Sequence, residues 1–203
     1  IVGSLLGLAV GDALGTTVEF QARDSFLPVT DMVGGGGFSL APGQWTDDTS
    51  MALCIAASLV ETGTYDPRDQ LARFVHWYRD GYLSSTGRCF DIGNQTLTAL
   101  GEFEATGEPY RTAAGGMSAG NGSLMRLAPV AMAFCDDPEA ARRFCADSSR
   151  ITHPAVECVE ACGAYGRLIA AAIQGAAHAQ LHALAADLAG QVTSPELAEI
   201  LSG

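Results

Sequence analysis

Apolar residues recur at intervals of three and four along most of this chain, and no stretch alternates convincingly with a period of two. That spacing belongs to helices that bury one face, so sheet architectures drop out of consideration. The clearest case is MALCIAASLVE at 51–61, a set of strong helix formers behind the polar segment TDDTS, and a helix is expected to start near Asp48. Comparable segments lie at 2–15, 67–80, 94–105, 123–134, 137–147, 154–175 and 177–189. With 203 residues there is enough chain for one continuous core, so the expectation is a single all-α domain over residues 1–203.

Glycine marks the connections. The run at 34–37 reads as a plain linker, with a mobile lid as the alternative, and a second glycine-rich stretch holds Gly115, Gly116, Gly120 and Gly122. Charge narrows the partners: 11 basic against 23 acidic residues give a formal net charge of -12, which repels nucleic acid and anionic membrane surfaces. A phosphate-bearing ligand would need local compensation from backbone N–H groups, an arginine or metal cations. The six cysteines have no CxxC or zinc spacing and read as buried reduced thiols. The most apolar stretch, near 161–179, is interrupted by Arg167, Gln174 and His178, so a cytoplasmic protein without a membrane span is expected.

Three constellations carry chemistry. In Trp45-Thr46-Asp47-Asp48-Thr49, adjacent carboxylates and hydroxyls offer hard oxygen ligands to Mg²⁺ or Mn²⁺, although Asp and Thr are also ordinary helix caps. A cation between two contiguous acids relieves their repulsion more directly than a helix N-terminus does. The segment Gly11-Asp12-Ala13-Leu14-Gly15-Thr16-Thr17-Val18-Glu19-Phe20 sets acids in apolar surroundings; Asp12 either caps backbone, pairs with an arginine or serves the site, and Glu19 is the better candidate for substrate contact. The stretch Ser118-Ala119-Gly120-Asn121-Gly122-Ser123-Leu124-Met125-Arg126 is a glycine-rich loop feeding a helix, whose free N–H groups either cradle a pyrophosphate or make a capped turn. It lacks the Walker lysine and follows no strand, so it is neither a P-loop nor a dinucleotide fingerprint. Asp91 and His153 sit at loop-to-helix junctions as site or turn residues, while His178 and His182, spaced i,i+4 among alanines, read as a solvated helix face.

Taken in order, GDALGTTVEF, QWTDDTSMAL, CFDIGN, GNGSLMRLAPVA and THPA resemble the ADP-ribosylglycohydrolase family, from Ile1 to about Gln174. The resemblance implies a compact all-α fold and a dinuclear magnesium or manganese centre. By it Thr46, Asp47 and Asp48 are metal ligands, Glu19 takes the place of the acid that approaches substrate, and Asp91 matches a second acid of bacterial members. Gly120, Asn121, Gly122 and Ser123 resemble the loop that holds the ADP-ribose diphosphate and distal ribose, and His153 a histidine lining that pocket. The family completes its centre with a C-terminal Asp-x-Asp-Thr motif, and nothing after Gln174 supplies one: Asp187 stands alone and Ser194-Pro195-Glu196 looks like a helix start. Either the sequence is a fragment or leaves out the segment that carries these ligands, or the protein has lost one metal site.

The implied activity is hydrolysis of the glycosidic bond between ADP-ribose and a modified side chain, arginine-linked by preference. The partner would be an ADP-ribosylated protein or a small ADP-ribose conjugate, met by a monomer. The rival is a non-catalytic member, either an ADP-ribose-binding module or a crystallin-like structural protein.

Overall fold

The computed structural model describes residues 2–111 and 119–203, and among them the secondary structure is helical, with one isolated bridge between Gly35 and Leu40. The helices are α1 (Val2–Gly15), α2 (Asp47–Thr62), α3 (Pro67–Asp80), α4 (Asn94–Thr106), α5 (Ala128–Ala133), α6 (Pro138–Arg150), α7 (Val156–Ile173), α8 (His178–Ala189) and α9 (Pro195–Ser202). Each begins within about three residues of where the apolar spacing places it, except around 123–134 and at the C-terminus. Several starts share one chemistry. Asp66 accepts from the amides of Arg68 and Asp69 ahead of Pro67, Asp137 from those of Glu139 and Ala140 ahead of Pro138, and Ser194 from that of Leu197 ahead of Pro195. A short polar cap followed by proline satisfies orphan amides and presets the first helical φ.

The helix expected over 123–134 is two pieces: a 3₁₀ turn at Asn121–Ser123, then α5 from Ala128. Pro129 has no N–H to give the carbonyl of Met125, so a helix cannot run through it and must start beside it. The run at 34–37 is also not a plain linker. Gly34, Gly35 and Gly36 all have positive φ, and a Cβ at Gly36 would stand 2.3 Å from the Thr16 carbonyl oxygen. Thr17 Oγ1 donates to the Gly34 carbonyl at 3.2 Å, so this is a tight turn fastened to the end of α1.

The core gathers Met51, Cys54 and Ile55 of α2, Leu71, Phe74 and Trp77 of α3, Leu100 of α4, and Leu127, Val130, Ile151 and Cys162. Each large side chain buried there contributes roughly 1.5–3 kcal/mol. α6 and α7 are the most extensively packed pair, and glycine permits their approach: a Cβ at Gly166 would lie 2.4 Å from Cys145 Sγ. All six cysteines are free; Cys54, Cys135, Cys145 and Cys162 are buried, while Cys89 and Cys158 are half-buried. His178 and His182 lie on the exposed face of α8 with rings 4.4 Å apart, and no described helix is long and apolar enough to cross a membrane.

Candidate functional site

The N-terminus of α2 is capped from outside its own sequence. The Asp12 carboxylate, near the end of α1, accepts from the amides of Thr46 (3.0 Å) and Thr49 (3.1 Å) and from the hydroxyls of Thr46 (2.9 Å) and Thr49 (2.6 Å). Of the three roles left open for Asp12, capping is the one the geometry realises. The consequence reaches its neighbours, because Asp47 and Asp48 are released from capping and turn toward a cavity. Thr46 itself lies beneath them, 2% exposed, its hydroxyl 3.3 Å from Asp48 Oδ2.

That cavity measures about 400 Å³ and is lined by Glu19, Asp47, Asp48 and Asp91. Gly120, Asn121, Gly122 and His153 line the same cavity, together with Asn94, Gln95, Thr96 and Met125. Eight of the ten residues singled out in the sequence thus meet in one place. Thr46 supports the acids from below, and Ser123 faces the core, its fully buried hydroxyl 2.8 Å from Ser149 Oγ. The 3₁₀ turn rotates Ser123 inward, a consequence of the broken helix that periodicity does not reveal. Ser118, Gly115 and Gly116 lie outside the described residues. Asn94, Gln95, Thr96 and Met125 carried no signal of their own; only proximity to CFDIGN and GNGS marks them.

Electrostatics single out the acidic wall. Among the described residues no lysine or arginine lines the cavity, and burial drives the Asp47 carboxyl well above the usual carboxylate range, with Asp48, Asp91 and Asp12 adding repulsion. Asp48 is raised as well, by burial first and then by Asp12, while its hydrogen bond with Thr46 pulls the other way. Asp91 is pushed up to about 7 by burial, then by Glu19 and Asp48. Glu19 is raised by burial, and hydrogen bonds with Thr16 and Asp91 oppose that shift. Asp91 also holds a left-handed backbone (φ 60°), which Asp tolerates better than most residues.

Clustered, partly buried oxygen ligands with no cationic side chain among them suit a hard divalent cation. The donor set is partial. Among the described residues no three His, Cys, Asp or Glu side chains stand so that they could hold an ion between them.

The chain belongs to the ADP-ribosylglycohydrolase family, whose model matches residues 1–202. Among individual relatives, it is 46% identical over 174 residues to an ADP-ribosylarginine hydrolase, Tri1, of Pseudomonas putida (strain GB-1), covering 86% of this chain and 47% of that protein. It is 36% identical to the ADP-ribosyl-[dinitrogen reductase] glycohydrolase of Rhodospirillum rubrum over 83% of this chain and 56% of the relative. A solved ADP-ribosylglycohydrolase-related protein complex superposes on 100% of this chain and 65% of its own, with 41% identity and a TM-score of 0.86. The chain spans about half the length of these curated relatives.

Proposed function

We propose that this chain carries the substrate cavity of a metal-dependent hydrolase that cleaves the glycosidic bond between ADP-ribose and a modified side chain, arginine-linked by preference. The reading rests on one cavity lined both by four acids (Glu19, Asp47, Asp48, Asp91) and by the glycine loop (Gly120, Asn121, Gly122) with His153. Its volume of about 400 Å³ lies within the range of small-molecule sites. Names given to the relatives support the choice of arginine.

Thr46, Asp47 and Asp48 would hold Mg²⁺ or Mn²⁺, which supplies Lewis acidity and offsets the carboxylate charge. In a protein of net charge -12 a diphosphate needs local compensation, and backbone amides of the glycine loop would supply it. As the bond from the anomeric carbon to the guanidino nitrogen breaks, the ribose acquires oxocarbenium character, and the acidic wall stabilises it. Glu19 and Asp91, whose affinity for a proton is raised above that of an ordinary carboxylate, would take the proton of the attacking water while the departing guanidine gains one. Addition of water across that bond gives free ADP-ribose and an unmodified arginine. The six free cysteines suit the reducing cytoplasm, where a monomer would act on an ADP-ribosylated protein or small conjugate.

The non-catalytic reading draws on one observation, the incomplete ligand set among the described residues. Measuring ADP-ribose release from ADP-ribosylarginine, with Mg²⁺ or Mn²⁺ and with a chelator, separates the two. Cation-dependent release that disappears in Asp48→Asn supports hydrolysis. Binding of ADP-ribose with no release under any cation makes the chain a binding module instead.

A further inference from the structure

Arg126 is the last residue of the GNGSLMR stretch, and it is fully buried, with none of its partners a carboxylate. Its guanidinium lies 4.7 Å over the Phe74 ring, and its Nε has no hydrogen-bond partner among the described residues. Retaining an arginine without a counter-ion in a core costs several kcal/mol, so its remaining contacts must matter. Nη1 donates to the Gly122 carbonyl at 3.0 Å, inside the glycine loop. Nη2 donates to the Ser148 carbonyl at 3.3 Å and to Thr152 Oγ1 at 2.7 Å. Thr152, equally buried, stands 2.8 Å from His153 Nδ1.

The direction of that last hydrogen bond follows from counting donors. An arginine only donates, so it occupies one lone pair of Thr152 Oγ1. If His153 Nδ1–H donated to the same oxygen, the threonine hydroxyl proton would be left buried, since Oγ1 has no other acceptor partner among the described residues. The favourable arrangement turns the Thr152 proton toward Nδ1, which leaves the imidazole proton on Nε2. Burial, aided by Arg126 and Arg111, lowers the His153 pKa to about 3, so the ring stays neutral. The Nε2 edge is the one at the cavity wall: a Cβ built on Gly122 would lie 3.0 Å from Nε2, and one on Gly120 3.4 Å.

We propose that Arg126 and Thr152 are positioning residues that act through His153: together they fix its neutral ring as the Nε2–H tautomer, a hydrogen-bond donor aimed at an anionic oxygen of the ligand beside Gly120 and Gly122. Arg126 holds the loop with one nitrogen and the histidine relay with the other, so both parts of the anion-facing wall hang on one buried cation. The ligand assignment rests on the ADP-ribose reading; the tautomer does not.

The test uses the whole chain labelled with ¹⁵N-histidine, with ring-nitrogen chemical shifts read at neutral pH and ADP-ribose affinity measured by calorimetry. Wild type should give His153 with Nε2 protonated and Nδ1 bare. Thr152→Val should bring in the Nδ1–H form and weaken ADP-ribose binding by about tenfold, the scale of one lost hydrogen bond. Thr152→Ser, which keeps the hydroxyl, should restore both. Arg126→Lys should also mix the tautomers; if it fails to fold, the threonine pair decides alone. A wild-type Nδ1–H ring, or an unchanged tautomer in a folded Thr152→Val chain, overturns the relay. A changed tautomer with unchanged affinity overturns its role in binding. Wild type that binds no ADP-ribose refutes the ligand assignment, while the ligand-free shifts still decide the relay.

Discussion

Replacing Asp12 by alanine tests whether the acidic wall depends on a cap supplied by another helix. In the wild type this carboxylate receives two amides and two hydroxyls from Thr46 and Thr49, both threonines only 2% exposed. Losing a helix cap costs about 1 kcal/mol, and each buried hydroxyl deprived of its acceptor about 1 more. The expected loss is about 3 kcal/mol, which for a domain of this size lowers Tm by about 6–12 °C. Asp12 also repels Asp47, Asp48 and Asp91, so its removal returns part of that stability in cation-free protein. Asp12→Asn keeps one acceptor oxygen and should lose less. Thermal unfolding followed by circular dichroism, with and without Mg²⁺, measures all three chains. A cation-saturated Asp12→Ala that melts with the wild type would refute the capping argument.

Gly122→Val should weaken ADP-ribose binding by at least about tenfold, on the scale of a lost hydrogen bond or more, because its Cβ would meet His153 Cε1 at 2.7 Å and displace the ring; calorimetry reads the effect, and equal affinity would count against it. Gly166→Ala should destabilise by about 1–3 kcal/mol in urea unfolding through the clash with Cys145, with ADP-ribose affinity unchanged. Asp91 is protonated up to about pH 7 when folded but ionises near pH 4 when unfolded, so it lowers the stability of cation-free protein as pH rises through that window. Asp91→Asn should therefore make the fall from pH 4 to 7 shallower than in wild type, as a series of melts would record.

How much of this was legible in sequence depends on whether the cause is local. The caps ahead of Pro67, Pro138 and Pro195 are local, and so is the start of α2 at Asp47, one residue from expectation. Pro129 was a local signal too, outweighed by apolar spacing that ran straight across it. Asp12 could not be assigned by itself, because its partners are 34 and 37 residues away. Arg126 looks in sequence like any arginine on a helix; only packing reveals it buried between Gly122 and Thr152. For the site, the motifs named the residues, whereas the fold decided that Asp47 and Asp48 face the cavity and that Ser123 does not.

Whether Asp47 and Asp48 make a cation site is read by Mn²⁺ titration followed by electron paramagnetic resonance. Three side-chain ligands from Thr46, Asp47 and Asp48 fall far short of the roughly six positions each ion needs, and no further acid joins them closely enough among the described residues. One weakly held Mn²⁺ per chain is expected, displaced by Mg²⁺ and lost when both aspartates become asparagine. No uptake at all, or two tightly bound ions, would contradict it.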